Sequence, residues 1–452
     1  MLLTALLLTA VLQDPGPASA PGQHLKALID FSALCRPAAE GEGLEVFSGR
    51  TAAAGADLFR LDGAGVIRRI WLPRASGELR FYFGGAQDPA LRLDLADPGA
   101  LPAFAGRLVS RAGGSLDSLV PVPFADGVRV SCSEAGLDFR VEVQTAAGPE
   151  GLAPADAGFW SRQAEAYDLV SGMLGRGEFL LQPRRRTTTI GRVQTNSQIS
   201  GQIRGRGTVH RFRLEITNAA DLDLDQLYRG LRLRVIADKE RQVDVPLGDF
   251  FGASSALPAG ASHLTRVSYD PGQGLVLESY LPLPFSDGIR VEVHNEAFEV
   301  PLCRFNLYWS DADLGPWRLH SGWKLERGLQ GATSHRLLDA DGPGRLIGAG
   351  VAIKGGGFGG AVDPSGFFGL PPGELVPGRR PFQGVGSGNG WVSFDRLLPG
   401  AGIPFDGPFQ FDLPLELGSE PVDVASIAWW YAPAGAGHRL GELPDAPERS
   451  LR

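Results

Sequence analysis

The sequence predicts an all-β protein made of two jelly-roll-like β-sandwich domains in tandem. Three observations lead there: an internal repeat, short segments of alternating polarity, and turn residues spread along the whole chain. A 452-residue chain is too long for one ordinary core and divides into domains. Its 62 glycines and 34 prolines follow no Gly-X-Y period, so they read as frequent turns between short strands. No long segment shows a capped 3.6-residue apolar period, although Asp221 to Tyr228 has the character of one short helix.

The repeat comes first. One copy opens with Gly63-Ala64-Gly65-Val66-Ile67-Arg68-Arg69-Ile70-Trp71-Leu72 and closes with Val122-Pro123-Phe124-Ala125-Asp126-Gly127-Val128-Arg129-Val130. The other opens with Gly205-Arg206-Gly207-Thr208-Val209-His210-Arg211-Phe212-Arg213-Leu214 and closes with Leu283-Pro284-Phe285-Ser286-Asp287-Gly288-Ile289-Arg290-Val291. The parts keep their order and the period is far longer than a solenoid unit, so this is a duplicated domain. Leu231, Leu233 and Val235 alternate with Arg232 and Arg234, the pattern of a half-buried strand. In each Pro-Phe-x-Asp-Gly element the proline marks a strand start or edge, and Asp-Gly supplies a tight turn. Further strands are expected at 345–354 and at Ala425 to Tyr431, with a glycine-rich loop region between them. The expected layout is a signal peptide at 1–20, a first domain at 21–170, a second at 171–433 and a polar tail at 434–452.

Leu2 to Leu12 form an apolar run, and Ala18-Ser19-Ala20 offers a small-x-small cleavage pattern, so the chain is expected to be secreted or periplasmic. No segment is long and apolar enough to predict a membrane-spanning helix. A net charge of −8 and a pI near 5.5 argue against a nucleic-acid partner, which needs a positive surface. The Arg-rich stretch from Arg176 to Arg213 reads as a solvated loop followed by strands. Cys35, Cys132 and Cys303 are too few for a disulfide framework and lack metal-ligand spacing.

Catalytic motifs are mostly missing. The histidines are scattered, no serine sits in a G-x-S-x-G elbow, and Gly348-Ala349-Gly350 lacks the Gly-Lys-Ser/Thr ending of a phosphate loop. Asp221, Asp223 and Asp225 begin like a calcium loop, but Gln226 and Arg232 stand where glycine and glutamate are required. No cofactor is therefore expected. Carboxylates and aromatics remain, the usual materials of a carbohydrate site. Glycoside hydrolysis needs two carboxyl groups about 5–5.5 Å apart or wider, and Glu374, Asp395, Asp406 and Glu416 are the candidates in the glycine-rich last third. In Trp429-Trp430-Tyr431, strand geometry sends Trp430 to one face and its neighbours to the other, so one face could stack on a sugar unless both are covered.

Gly63 to Trp71, Pro246-Leu247-Gly248-Asp249-Phe250-Phe251-Gly252, Pro282 to Phe285 and Ser426 to Tyr431 together resemble glycoside hydrolase family 172, over roughly residues 45 to 433. That bacterial family was long catalogued as a domain of unknown function. The resemblance implies two jelly rolls, action on α-fructofuranosides, difructose anhydrides or arabinofuranosides, and assembly into a homo-oligomer, a trimer or hexamer. The family's late Gly-Thr-Gly-Thr-Glu-Asp-Tyr-Phe stretch corresponds to Gly384-Val385-Gly386-Ser387-Gly388-Asn389-Gly390-Trp391, in which Gly388 and Asn389 replace the acidic pair. Two expectations follow. One is a furanoside hydrolase with Glu374, Glu416 and Asp395 as catalytic residues and Trp391, Asn389 and Trp430 on the sugar. The other is a glycan-binding or oligomeric scaffold protein of the same fold.

Overall fold

The computed structural model describes residues 21–112, 114–150, 152, 157–176, 183–217, 223–253, 264–270, 274–296, 300–355, 378–380, 383–388, 391–398, 400 and 402–449. The expected signal peptide lies outside them. By internal contacts the chain divides into one unit of residues 1–30, 38–180 and 399–401, and a second of 31–37, 181–398 and 402–452.

The first unit holds β1 (Gly43–Arg50), β2 (Asp57–Leu61), β3 (Gly65–Leu72), β4 (Glu78–Phe83), β5 (Leu91–Asp94), β6 (Val109–Ala112), β7 (Ser115–Ser118), β8 (Val122–Phe124), β9 (Val128–Cys132) and β10 (Asp138–Thr145). One sheet runs β1-β10-β3-β7-β6, with β8 beside β3, and the other runs β2-β9-β4-β5. The chain crosses repeatedly between the two sheets, which is the winding of a jelly roll.

The second unit begins with β11 (Arg185–Val193), β12 (Ser197–Arg204), β13 (Gly207–Thr217), β14 (Leu231–Ala237), β15 (Glu240–Pro246), β16 (Thr265–Asp270), β17 (Gly274–Ser279), β18 (Leu283–Phe285), β19 (Gly288–Asn295) and β20 (Val300–Ser310). Its sheet orders repeat the first: β11-β20-β13-β17-β16 with β18 beside β13, and β12-β19-β14-β15. The topology is a double jelly roll.

The duplication extends to irregularities. Arg68 bulges out of β3 where it pairs β10, and His210 bulges out of β13 at the same place. Behind each bulge an arginine on the outward face meets a buried carboxylate: Arg69 Nε donates to Asp117 at 2.8 Å, and Arg213 reaches Glu278 at 2.8 Å alongside Arg211. Both opening glycines are also explained. A Cβ on Gly65 would lie 2.7 Å from the Phe124 ring and 2.6 Å from the Gln144 carbonyl, and one on Gly207 would lie 3.2 Å from Phe285 and 2.4 Å from the Ser310 carbonyl. The ring of each Pro-Phe turn thus lies against a bare backbone at the start of the neighbouring strand.

The second sheet of this module continues beyond β15. Here β21 (Trp317–Leu329) joins it in parallel through Val243 and Ser321. The order then runs β21-β29-β23-β26-β25-β24, where β22 is Ala332–Ala340, β23 Gly344–Gly355, β24 Gly378–Arg380, β25 Gln383–Gly388, β26 Trp391–Leu397, β27 Ile403–Phe405, β28 Phe409–Glu416 and β29 Val422–Pro433. Strand β27 pairs with β23, and β22 and β28 pair with each other over one face of this extension.

Two elements differ from expectation. Ala157–Arg176 is a 20-residue helix whose buried stripe of Phe159, Trp160, Ala166, Tyr167, Val170, Met173 and Leu174 does have a helical period. Gln163 and Ala164, half-buried, weaken that stripe at one turn and hid it. The segment after Pro433 is not a free polar tail: it ends in a helical turn, Ala446–Arg449, with Arg449 fully buried and paired to Glu296 at 2.5 Å. The three cysteines are buried and form no disulfide with one another.

The glycine approach is testable. Gly65→Ala or Gly207→Ala should each lower stability by ~1–3 kcal/mol, as overpacking does, whereas Gly85→Ala, with nothing within 4 Å of a built Cβ, should show only the smaller strain of its left-handed backbone. Urea unfolding of the three variants checks this; equal losses would remove the close approach as the reason.

Candidate functional site

Of the expected site residues, Trp391, Asp395 and Trp430 belong to the extended sheet around β23, β26 and β29, and Glu416 to the β22–β28 hairpin. Trp429, Trp430 and Tyr431 are 1%, 0% and 0% exposed, because β29 has β21 on one side, β23 on the other, and packed layers on both faces. Trp430 stacks on His320 with ring centres 5.6 Å apart and meets the His438 edge, also at 5.6 Å. It is therefore a core residue and not the sugar-stacking surface expected of it. Tyr431 is spent likewise, its hydroxyl donating to the Pro282 carbonyl at 2.8 Å. Burial drives His320 down to about 4, so it is neutral at physiological pH.

Asp395 and Glu416 do not converge. Asp395, in β26, is 5% exposed and stands across from Gly350 of β23 and Gly384 of β25. A Cβ on Gly350 would lie 3.5 Å from the Asp395 Cβ, 3.2 Å from Ile427 and 3.5 Å from Trp429, which places Asp395 on the Trp429 face. The β22–β28 hairpin covers the other face, where Leu413 and Leu415 pack on Val351, Val392, Phe394 and Val424. Glu416 alternates with Leu415 and so points outward from the hairpin, exposed. Asp395 and Glu416 therefore face opposite ways with packed layers between them, and they do not meet at one site. Glu374 and Asn389 lie outside the described residues. Trp391 begins β26 opposite Lys354 and Gly388, and its side chain is likewise outside the description. Asp406 follows β27 and is exposed.

The structure brings together a set that the sequence did not flag. Ser426 Oγ lies 2.7 Å from His335 Nε2, His335 Nδ1 lies 2.5 Å from Glu326 Oε2, and Lys324 Nζ lies 2.8 Å from Glu326 Oε1. A serine, a histidine and a carboxylate in this order are the parts of nucleophilic catalysis. Reaction needs an exposed nucleophile, yet Ser426 is 3% and His335 0% exposed, between the Val424 and Ala428 clusters. The chain of bonds is a polar tie from hairpin to sheet. No local sequence signal marks it, since its members come from three strands.

A second tie explains the Pro-Leu-Gly-Asp-Phe-Phe-Gly string. Leu247–Phe250 forms a helical turn, and buried Asp249 accepts from Trp323 Nε1 at 2.6 Å and from Arg229 at 3.3 Å. Gly248 is required because a Cβ there would lie 2.3 Å from that of Tyr228.

Fold and topology define a β-sandwich protein of double jelly-roll type. Residues 46–150 match the family model described as GH172 first beta-sandwich domain, which supports membership of the GH172 family. No curated protein matches the chain. Among solved structures it is similar to the major capsid protein P2 of bacteriophage PM2, at 10% identity over 56% of this chain and 100% of that chain, TM-score 0.33. It is also similar to the PBCV-1 virus capsid, at 9% identity over 58% of this chain and 99% of that one, TM-score 0.28.

The polar tie predicts an acid response. The hydrogen bond from His335 is the largest influence holding Glu326 at about 2, below its ordinary 4.5. A depressed carboxylate gives stability that is complete above about pH 4.5 and is lost as pH falls toward 2. His335→Ala should cost ~1–3 kcal/mol at neutral pH, the effect of orphaning buried polar atoms, and should flatten the decline between pH 4.5 and 2. Thermal melts of both proteins across that window test it; parallel curves would show that the tie is not the source.

Proposed function

We propose that this is an exported carbohydrate-binding protein of the GH172 type that recognises furanoside glycans without hydrolysing them. The observation that carries the reading is the GH172 match across the first jelly roll, taken with the opposed directions of Asp395 and Glu416. Hydrolysis through an oxocarbenium-like transition state needs a proton donor on one side of the bond and a carboxylate on the other. Glu416 on an outer hairpin and Asp395 beneath the sheet offer neither arrangement. Recognition has lighter demands: hydroxyl donors and acceptors on a rigid frame. The replacement of the family's acidic pair by Gly388 and Asn389 points the same way. Export rests on the apolar leader and its Ala18-Ser19-Ala20 pattern, and homo-oligomer assembly rests on the resemblance.

Purified protein should show no turnover of p-nitrophenyl α-fructofuranoside or α-arabinofuranoside, while its migration is retarded in gels containing fructan or arabinan. Turnover that disappears in Glu374→Gln or Glu416→Gln would replace this reading with a hydrolase.

A further inference from the structure

The two modules can be compared corner by corner, because their registers match. In the second, Ala237 pairs with Ile289 just beyond Gly288, and in the first, Phe83 pairs with Val128 just beyond Gly127. The hairpin turns that follow these strands therefore occupy equivalent places: Asp238-Lys239 in the second module and Gly84-Gly85 in the first. All four residues have left-handed backbones, with φ of 54°, 72°, 59° and 74°. In both modules the first residue of the turn donates its N–H to the glycine of the Pro-Phe-x-Asp-Gly element, at 2.8 Å from Asp238 to Gly288 and 3.3 Å from Gly84 to Gly127.

The side chains differ. In the second module Asp238 Oδ1 accepts from the backbone N–H groups of Ser286 and Asp287 at 2.7 and 2.6 Å, and its Oδ2 accepts from Arg318 at 2.6 Å. Lys239 Nζ meets Asp287 at 2.7 Å. That corner is closed by its own residues. In the first module glycines remove both side chains, and a cavity of about 420 Å³ opens, lined among others by Arg60, Asp62, Tyr82, Gln87, Asp126 and Arg129. A Cβ on Gly84 would lie 3.9 Å from the Asp126 carbonyl and 4.0 Å from its carboxylate, so the space a side chain would take is open and aimed at the turn. Tyr82 stands where the second module has Ile236, as their pairings with Arg129 and Arg290 show. The Arg129 guanidinium lies 3.6 Å over the Tyr82 ring and donates to Asp57 at 3.2 Å, which fixes both walls.

We infer that this corner of the first jelly roll is a binding site for a neutral saccharide, whose hydroxyls take the places held by Asp238 and Lys239 in the second module. Those two side chains serve an acceptor's role toward backbone N–H groups and a donor's role toward the turn aspartate. Their loss removes one negative and one positive charge, so the corner asks for no net charge from its ligand. It asks for a group that accepts and donates at once, which a sugar hydroxyl does. Arg60 and Gln87 add donors and Asp62 an acceptor around the rim, and the volume falls in the ~300–1,000 Å³ range of small-molecule sites. The choice of a saccharide among hydroxylated ligands rests on the function proposed above; the open corner itself does not.

The test uses the whole protein and titration calorimetry with fructo- and arabino-oligosaccharides. Gly84→Asp restores the plug that the second module carries, on the left-handed backbone that Asp238 adopts at the equivalent place, and should weaken binding at least about tenfold, or ~1.4 kcal/mol, without lowering the melting temperature. Asp126→Ala should weaken it in the same direction without filling the cavity. Binding unchanged in both variants would overturn the assignment and leave glycan recognition to another part of the molecule. Wild-type protein that binds none of the oligosaccharides would overturn the functional reading itself. Glucuronate or gluconate binding tighter than the neutral sugars would overturn the uncharged ligand.

Discussion

The architecture depends on the contact of a phenylalanine ring with a bare glycine backbone, made once in each jelly roll. Phe124 lies against Gly65 and Phe285 against Gly207, so close that a single Cβ would collide with a carbonyl in both and with the ring in the first, and would crowd the ring in the second. This contact fixes which residues of β8 and β18 stand beside β3 and β13. A slip of one residue would turn every side chain to the opposite face, so the register set here carries through the strand. The bulges at Arg68 and His210 come three residues later in each copy, and they turn Arg69 and Arg211 to the opposite face of the strand from Ile70 and Phe212, which stay in the core. The hairpin corner discussed above follows from the same register.

Beyond the sandwiches, polar ties do what apolar contact alone would leave loose. The β22–β28 hairpin could slide on an aliphatic surface of Leu, Val and Ala without losing much area. His335, bonded at both ring nitrogens, holds it at one position relative to Ser426 and Glu326. Asp249 does the same for the turn after β15, with Trp323 and Arg229 as its partners. Buried polar groups of this kind add little net stability but single out one arrangement, since every alternative leaves a donor or acceptor without a partner. The string that most strongly suggested GH172 thus reports a structural joint, which is why family and fold were more legible than chemistry.

The legible part of the sequence was the part whose meaning is local. Gly, Pro, Phe and Asp-Gly act within a few residues of themselves, so the repeat and its turns could be read directly, as could the alternation of Leu231, Leu233 and Val235. The last third resisted because its geometry is set by distant pairings: one residue pair, Val243 with Ser321, joins β21 to the preceding sheet. Period-two patterning places Trp429 and Trp430 on opposite faces but says nothing of what covers each face, and here both are covered. The same limit applied to Asp395 and Glu416. Only the packing of Leu413 and Leu415 on Val351 and Phe394 reveals that the two acids point apart. The Ser426–His335–Glu326 tie had no sequence signature, since strands β21, β22 and β29 each supply one member.

Duplication lets one half of this molecule serve as the reference for the other. In the second module the corner is filled by its own residues: an aspartate tucked under two backbone N–H groups, a lysine on the turn aspartate, and an arginine behind. These bonds stabilise the closing turn. In the first module Gly84 and Gly85 keep the left-handed turn but give up those bonds and add the backbone freedom of glycine to the unfolded chain. Departures from local optimality of this kind concentrate where a site must stay open. The Arg129 guanidinium over Tyr82 and its bond to Asp57 keep the walls of the corner tied to each other without the plug.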